Sequence, residues 1–263
     1  MLQKGIFILM KNTEKFTGKA AAYSLHRPNY PKAYIDYLIQ SNSLDLKSII
    51  ADIGAGTGIL TQQLLDKGFQ VHAVEPNDNM RITAENNLNN YPNFISHNAS
   101  AEHTGLLEKS IDLITVAQAF HWFDKTLFKS EAKRILKSNA NVSLVFNNRI
   151  LSDPLVMENA KICKTYCPTF QGFSNGIFND KESFQKILQE FYNDEFEYRE
   201  FEHPIPFTLD GFIGRNLSSS FSIHPDDKNY TNFIDALTEL FHKYSKDGVL
   251  MMPNLTISYM GRI

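Results

Sequence analysis

With 263 residues, 43% of them hydrophobic, the chain has the length for one large domain, or one domain with a lid, and ample apolar material for a core. A net charge of −3 gives no electrostatic basis for binding nucleic acid or an anionic membrane, and no run approaches the ~18 apolar residues of a membrane-spanning helix. Two cysteines, Cys163 and Cys167, are too few for a disulfide framework and have no metal-ligand partners nearby in sequence, so they read as packing residues on a helix and no metal is expected.

The segment Gly5-Ile-Phe-Ile-Leu-Met10 is too short for the apolar part of a signal peptide and lacks a small-residue cleavage site. Residues 1–15 read as an extension without fixed structure, Met10 being an alternative start, and a cytoplasmic protein, monomer or homodimer, is expected. Alanines and Tyr23 suggest a short helix broken before Pro28. A helix over Lys32 to Gln40 has Tyr34, Leu38 and Ile39 on its apolar face. Then comes Ser48-Ile-Ile-Ala-Asp-Ile-Gly-Ala-Gly-Thr-Gly58, an apolar β-branched run closed by glycines at alternate positions. Ile59 to Lys67 follows with helical spacing and stops at Gly68, a left-handed cap. The stretch therefore reads as strand, tight turn and helix N-terminus. Glycine lets a ligand approach the backbone, and the helix N–H groups favour an anionic or hydrogen-bonding partner. The plain alternative is a turn that needs positive φ and binds nothing.

Phe69-Gln-Val-His-Ala-Val74 is a second strand, ending in Glu75. That acid lies roughly 20 residues past the glycines, where doubly wound nucleotide-binding folds place the carboxylate that grips ribose hydroxyls. The order of these elements points to an adenosine-type ligand, and GxGxG spacing in place of GxGxxG tilts away from a nicotinamide dinucleotide. Asn77 or Asp78 can cap a helix to about Leu88, and Asn93 to His97 is a third strand leading into Ser100, Ala101 and Glu102. Ile111 to Ala117 is nearly all apolar, as a central parallel strand would be. Gln118, His121 and Trp122 follow its C-terminal end, where open α/β sheets bind ligands. Next come a helix from Asp124 to Leu136, a strand over Asn141 to Phe146 and the polar run Asn147-Asn-Arg149. Further on are a helix over Pro154 to Tyr166, a loop to Asn179 and a helix over Lys181 to Phe191. Phe196 to Phe207 reads as an edge strand because it holds Pro204 and Pro206. Thr208 to Ser220 is a short helix, Asp226 to Tyr244 an amphipathic one, and Leu255 to Met260 the last strand.

Ala51-Asp-Ile-Gly-Ala-Gly-Thr-Gly58, with Val74-Glu-Pro76 and Met80, resembles the class I S-adenosylmethionine (SAM)-dependent methyltransferases. So do Ala99-Ser-Ala-Glu102, Ser110-Ile-Asp-Leu-Ile114 and Ala117-Gln-Ala-Phe-His-Trp-Phe-Asp124. The resemblance is to the small-molecule branch that includes the trans-aconitate methyltransferase-like proteins, and it covers Phe16 to about Asn148. It implies an α/β, Rossmann-like doubly wound sheet of seven strands, order 3-2-1-4-5-7-6, the last-inserted strand antiparallel, with an added helical lid. The implied division is an arm and SAM-binding core over 16–150, a lid and acceptor region over 151–195, and strands and helices completing the sheet over 196–263. The implied cofactor is SAM, with S-adenosylhomocysteine as product, held by Asp52, Gly54, Ala55, Gly56, Glu75, Pro76, Met80, Ser100, Ala101, Glu102 and Gln118. The pattern Tyr23-x-x-x-Arg27-Pro-x-Tyr-Pro31 is similar to the arm that folds over the cofactor mouth in this branch. Tyr23 or Arg27 then lies near the methionine carboxylate; otherwise the two form a surface helix pair. Met80 either packs near the adenine or is core, and Glu102 either sits at the adenine or is a solvated loop charge.

A sulfonium methyl is already activated, so the protein's task is alignment and exclusion of water. A base is needed only for an acceptor protonated at working pH; a carboxylate needs none. His121 is the candidate base by type and position, or else it shapes the pocket and hydrogen-bonds the acceptor. The acceptor is expected among His121, Trp122, Asn147, Arg149, the 23–27 arm and the helices after Leu151. Trp122 either walls an apolar or planar acceptor or packs under the next helix, and Arg149 or Arg27 can hold an acidic group. The Asn/Asp-Pro-Pro-Tyr/Phe signature is absent, Gln118-Ala-Phe-His standing in its place, which with the charge argues against DNA but leaves a small amine open. The expected function is methyl transfer to a carboxylate or hydroxyl oxygen of a small molecule. The alternatives are a non-catalytic SAM-binding or interaction protein, a nicotinamide oxidoreductase, and an aminopropyltransferase, which should carry acidic residues near Gln118.

Overall fold

The computed structural model describes residues 28–173 and 181–263. The extension, the arm with Tyr23 and Arg27, and the end of the loop before Lys181 lie outside the described residues. The apolar runs of the first half become β1 (Ile49–Ile53), β2 (Gln70–Val74), β3 (Phe94–His97) and β4 (Ile111–Ala117), all paired in parallel. Leu113, Ile114 and Val116 have no exposed surface, as a strand covered on both faces requires. The second half adds β5 (Leu136–Arg149), β6 (Phe196–Glu202), β7 (Ile205–Phe207), β8 (Leu250–Met252) and β9 (Asn254–Gly261). The main sheet runs β3-β2-β1-β4-β5-β9-β6, and β9 is antiparallel to both neighbours, so the expected topology holds.

Helices α1 (Lys32–Ser41), α2 (Ile59–Leu65) and α3 (Asp78–Leu88) cover one face. They bury Tyr34, Leu38, Leu60, Leu64 and Leu88 against Ile50, Val71 and Leu113. On the other face lie α4 (Lys125–Ile135) and, later in the chain, α6 (Lys181–Tyr192), through Phe128, Ala132, Leu188 and Phe191. Between them α5 (Pro154–Tyr166) follows Asp153, whose side chain accepts the Leu155 N–H. Asn77 and Asp124 cap α3 and α4 in the same way, each cap being worth about 1 kcal/mol. The last helices are α7 (Leu209–Leu217) and α8 (Tyr230–Tyr244).

The apolar clusters divide the second half differently from a lid over 151–195. Leu155, Cys163, Phe212, Phe233, Leu237, Phe241 and Leu250 form one cluster, so α5, α7, α8, β7 and β8 make up a cap. α6 instead joins the sheet, where the Tyr192 hydroxyl lies 2.9 Å from the Tyr259 carbonyl it donates to. Four boundaries also move. β5 begins at Leu136, not Asn141, because its pairing with β4 shifts register between Ile111 and Leu113, around the left-handed Asn139. It runs on through Arg149 because β9 pairs with the whole polar run, Arg149 facing Asn254. The expected strand Phe196–Phe207 is two, since Pro204 has no N–H and β7 turns away to pair with β8. α8 starts at Tyr230, not Asp226, because the Asp227 side chain and the His224 carbonyl satisfy local N–H groups in turns.

Phe233 has no exposed surface in the cap cluster. Phe233→Ala is predicted to destabilise the protein by about 3–5 kcal/mol, read as a lower urea midpoint. An unchanged midpoint would contradict this packing.

Candidate functional site

β1 ends in a turn that is left-handed at Gly54, Gly56 and Gly58, with φ of +71°, +59° and +84°. The turn is held on the end of β2: Gly54 and Ala55 donate N–H bonds to the Val74 carbonyl at 2.8 and 3.1 Å, and Gly56 donates to Glu75 Oε2 at 2.9 Å. The glycines answer to different demands. A Cβ on Gly54 would stand 2.5 Å from the Ala119 Cβ, and one on Gly58 2.7 Å from Leu88 Cδ1. A Cβ on Gly56 would meet nothing within 4 Å. Packing thus requires Gly54 and Gly58, whereas Gly56 presents bare backbone to open space. Thr57 beside it is 3% exposed, and its hydroxyl has no partner.

Glu75 accepts the Asn77 N–H at 2.8 Å on its other oxygen. Burial holds its pKa above the usual carboxylate range, against the pull of the Asn77 and Gly56 N–H groups. One N–H on each oxygen leaves lone pairs for a pair of hydroxyls. Pro76 sits between Glu75 and the cap of α3, and Met80, 4% exposed, lies in the first turn of that helix. Asp52, expected among the cofactor contacts, has its side chain turned into the fold. It is 1% exposed, and the hydroxyls of Thr61 and Thr115 donate to its two oxygens at 2.6 and 2.9 Å. Burial pushes its pKa up to about 6. It ties β1 to β4 and α2 from inside and is closed off from solvent.

The loop after β3 brings Ser100 and the buried Ala101 to the same end of the sheet. Glu102 is not a solvated charge: it is 8% exposed and accepts the Asp124 N–H at 2.9 Å. Past β4, Gln118 is left-handed at φ +59°, a conformation that costs about 1–3 kcal/mol in a non-glycine residue. Its Nε2 donates to the Asn147 carbonyl at 3.1 Å, joining the ends of β4 and β5. A 3-10 turn, Phe120–Trp122, is anchored by Phe120 against Phe128 and Phe191. Lys125 donates to the carbonyls of His121 and Phe123 and so braces that turn. His121 and Trp122 are half-buried, their rings 4.5 Å apart. Asn147 is drawn into the framework, donating to the Asn29 carbonyl at 3.0 Å and accepting from Thr256. The Arg149 guanidinium lies 3.8 Å from the Phe173 ring centroid and lines a cavity of about 730 Å³ with Phe184, Tyr198, Leu255 and Ile257. Thr61, Thr115, Phe123 and Lys125 shape this end without any sequence signal that singles them out. Among the described residues no group of three or more His, Cys, Asp or Glu is placed to hold a metal, and no helix is long and apolar enough to cross a membrane.

Residues 51–144 match a family described as a methyltransferase domain. The chain is 34% identical over 134 residues to an uncharacterized methyltransferase of Mycobacterium tuberculosis, a match covering 51% of this chain and 52% of that one. The chain spans about half the length of the curated relatives it matches. Its fold is similar to a structure from Anaeromyxobacter dehalogenans assigned as a type II methyltransferase, at 22% identity and TM-score 0.60 over 90% of this chain and 97% of that one. It is also similar to a phosphoethanolamine N-methyltransferase of Haemonchus contortus in complex with phosphomonomethylethanolamine and S-adenosylhomocysteine. That match has 16% identity and TM-score 0.54 and covers 97% of this chain and 59% of that one. The residues at the turn fit SAM: Gly56 presents a bare face beside Glu75, and the hydroxyl of the following Thr57 is an unpaired polar group.

Two predictions follow from this geometry. Gly56→Val, strained at φ +59° but meeting nothing, is expected to lose some stability yet stay folded by circular dichroism and lose SAM binding in calorimetry, whereas Gly58→Val, strained at φ +84° and with its Cβ against Leu88, is expected to lose more stability. Normal SAM affinity in Gly56→Val would make the turn purely structural. For Asp52, the folded pKa of about 6 lies above the ordinary 3.8, so the native state keeps the proton longer than the unfolded chain. Stability therefore falls as pH rises through that window, by up to about 3 kcal/mol, and the penalty is complete above it. Asp52→Asn is predicted to raise the urea midpoint above that of the wild type at about pH 7.5 and to converge with it near pH 4. Equal midpoints at the higher pH would contradict a costly buried carboxylate.

Proposed function

We propose, for a chain whose residues 51–144 match a methyltransferase domain family, that the protein is a class I SAM-dependent enzyme that transfers a methyl group to a carboxylate or hydroxyl oxygen of a small-molecule acceptor. The observation that carries this reading is the bare backbone of Gly56 beside the half-buried Glu75, with a half-buried His121–Trp122 pair across the mouth. When bound, SAM supplies a methyl on a positively charged sulfur, already activated for displacement. In this reading Gly54, Ala55 and Gly56 hold the methionine part, Glu75 accepts both ribose hydroxyls, and Met80 and Ala101 pack at the adenine. Glu102 fixes the start of α4 by accepting the Asp124 N–H, which sets the turn that carries His121.

The cofactor then occupies the ends of β1, β2 and β3, and its methyl faces the ends of β4 and β5. The nearest side chains there are Gln118, His121 and Trp122, with Asn147 and Arg149 beyond. Holding an acceptor oxygen in line behind the methyl supplies about 7–11 kcal/mol of the barrier. His121 removes a proton from a hydroxyl acceptor, or only hydrogen-bonds a carboxylate, which has none to lose. Trp122 walls the acceptor and keeps water out. The cap, built on α5, α7 and α8, closes this side of the mouth.

His121→Ala and Trp122→Ala are predicted to cut turnover on the true acceptor tenfold or more while SAM affinity stays within about threefold, since the lost contacts are to acceptor and transition state. Release of S-adenosylhomocysteine and calorimetric titration of SAM check the two halves. Wild-type rates in both variants would move the acceptor pocket elsewhere. A protein that binds SAM and releases no S-adenosylhomocysteine with any acceptor would be a binding protein and no enzyme.

A further inference from the structure

Lys125 stands against the ordinary rules of helix construction. It is the first residue of α4 and follows Asp124, whose side chain accepts the Thr126 and Leu127 N–H groups. A cation at that end opposes the helix dipole, whose positive pole is the N-terminus. The side chain is also half-buried, and burial lowers its pKa although the carboxylates of Asp124 and Glu102 act to raise it. What holds it there is the turn ahead of the helix. Its Nζ donates to the Phe123 carbonyl at 2.7 Å and to the His121 carbonyl at 3.3 Å. It also lies 5.3 Å from the centroid of the Phe120 ring, the anchor of the same turn. One ammonium thus grips the residues on either side of Trp122.

The turn is tied to the cofactor side at both of its ends. Glu102, in the loop after β3, accepts the Asp124 N–H at 2.9 Å. A Cβ on Gly54 would stand 2.5 Å from the Ala119 Cβ and 3.1 Å from Phe123 Cζ, so residues 119 and 123 both lie against the glycine turn. Between these ties the 3-10 turn is only three residues long, and 3-10 hydrogen bonds are poorly aligned. Local rules are broken mainly where a protein acts, and here a cation against the dipole secures a short turn that presents two candidate acceptor residues. We propose that Lys125 is a positioning residue for methyl transfer. By holding the carbonyls of His121 and Phe123 it sets the direction in which the His121 imidazole and the Trp122 indole meet the acceptor. The proposal rests on the methyl-transfer reading, and Lys125 acts through the turn without touching cofactor or acceptor. Arginine at this position keeps donors for both carbonyls, whereas methionine keeps the apolar stem and loses the donors.

Trp122 is the single tryptophan of the chain, so its fluorescence reads this turn directly. The test compares the wild type with Lys125→Met and Lys125→Arg by acrylamide quenching of Trp122 and by urea unfolding. Release of S-adenosylhomocysteine at saturating SAM is followed over a panel of small carboxylic acids, phenols and alcohols. Lys125→Met is expected to raise the quenching constant about twofold, as a less fixed turn exposes the indole. It should cut kcat on the best acceptor about tenfold or more while SAM affinity stays within about threefold. Its urea midpoint should stay at or above that of the wild type, since a desolvated cation leaves a helix N-terminus. Lys125→Arg is expected to restore the quenching and most of the kcat. Lys125→Met combined with His121→Ala should lose far less than the product of the two single effects, because both act through one turn. Wild-type quenching in Lys125→Met, or wild-type kcat, would overturn the proposal. So would failure of Lys125→Met to fold, or a lowered midpoint, either of which makes the residue structural. Absence of turnover across the panel in a wild-type protein that binds SAM defeats the methyl-transfer reading itself, and this proposal with it.

Discussion

The turn after β1 can exist only because it is clamped to the end of β2. Three consecutive N–H groups, those of Gly54, Ala55 and Gly56, donate to the Val74 carbonyl and the Glu75 carboxylate. Without those acceptors the glycine-rich segment would have little to fix its left-handed backbone, since glycine loses the most conformational freedom on folding. With them, α2 starts at Gly58, packed on Leu88 of α3, and Gly54 sits against Ala119 past β4. One carboxylate thus serves the fold before any ligand arrives: it accepts one N–H from the turn and one from Asn77 ahead of α3. The desolvation that raises its pKa is the cost of placing that charge in the position where the proposed function puts the ribose.

The other side of the mouth is set by different means. Gln118 holds a left-handed backbone and reaches the Asn147 carbonyl, so the ends of β4 and β5 are tied together. Phe120 is buried on one side of the short turn that presents His121 and Trp122 on the other, and Lys125 braces its carbonyls. Strain at Gln118 and the unpaired Thr57 hydroxyl are local departures from an optimised core, and such departures concentrate where a protein binds. Asp52 is the contrary case, a buried carboxylate whose two threonine partners account for it structurally.

The first half of the chain was legible because each of its elements carries its own signal. Glycines, a cap at Asn77, an apolar run at Ile111–Ala117 and an acid at Glu75 are local features, and the sheet order follows from their resemblance and from β–α alternation. The second half was less so. Nothing in Lys181–Tyr192 says which apolar surface its face will cover, and it covers the sheet instead of joining the cap. The expected strand stopped at Phe146, short of the polar run Asn147–Arg149, because pairing with β9, over a hundred residues away, cannot be seen locally. β8 has three residues and alternates only once, too little for a period to show. At the site, the motif marks the position of Asp52 and not the burial of its side chain, and Lys125 carries no motif at all.

A crystal structure of the protein with S-adenosylhomocysteine tests the central claim most directly. The account predicts both ribose hydroxyls within about 2.5–2.8 Å of the Glu75 carboxylate oxygens, and the homocysteine part lying over the backbone of Gly54 to Gly56. A ligand bound with its ribose away from Glu75, or with the Gly56 backbone untouched, would contradict it.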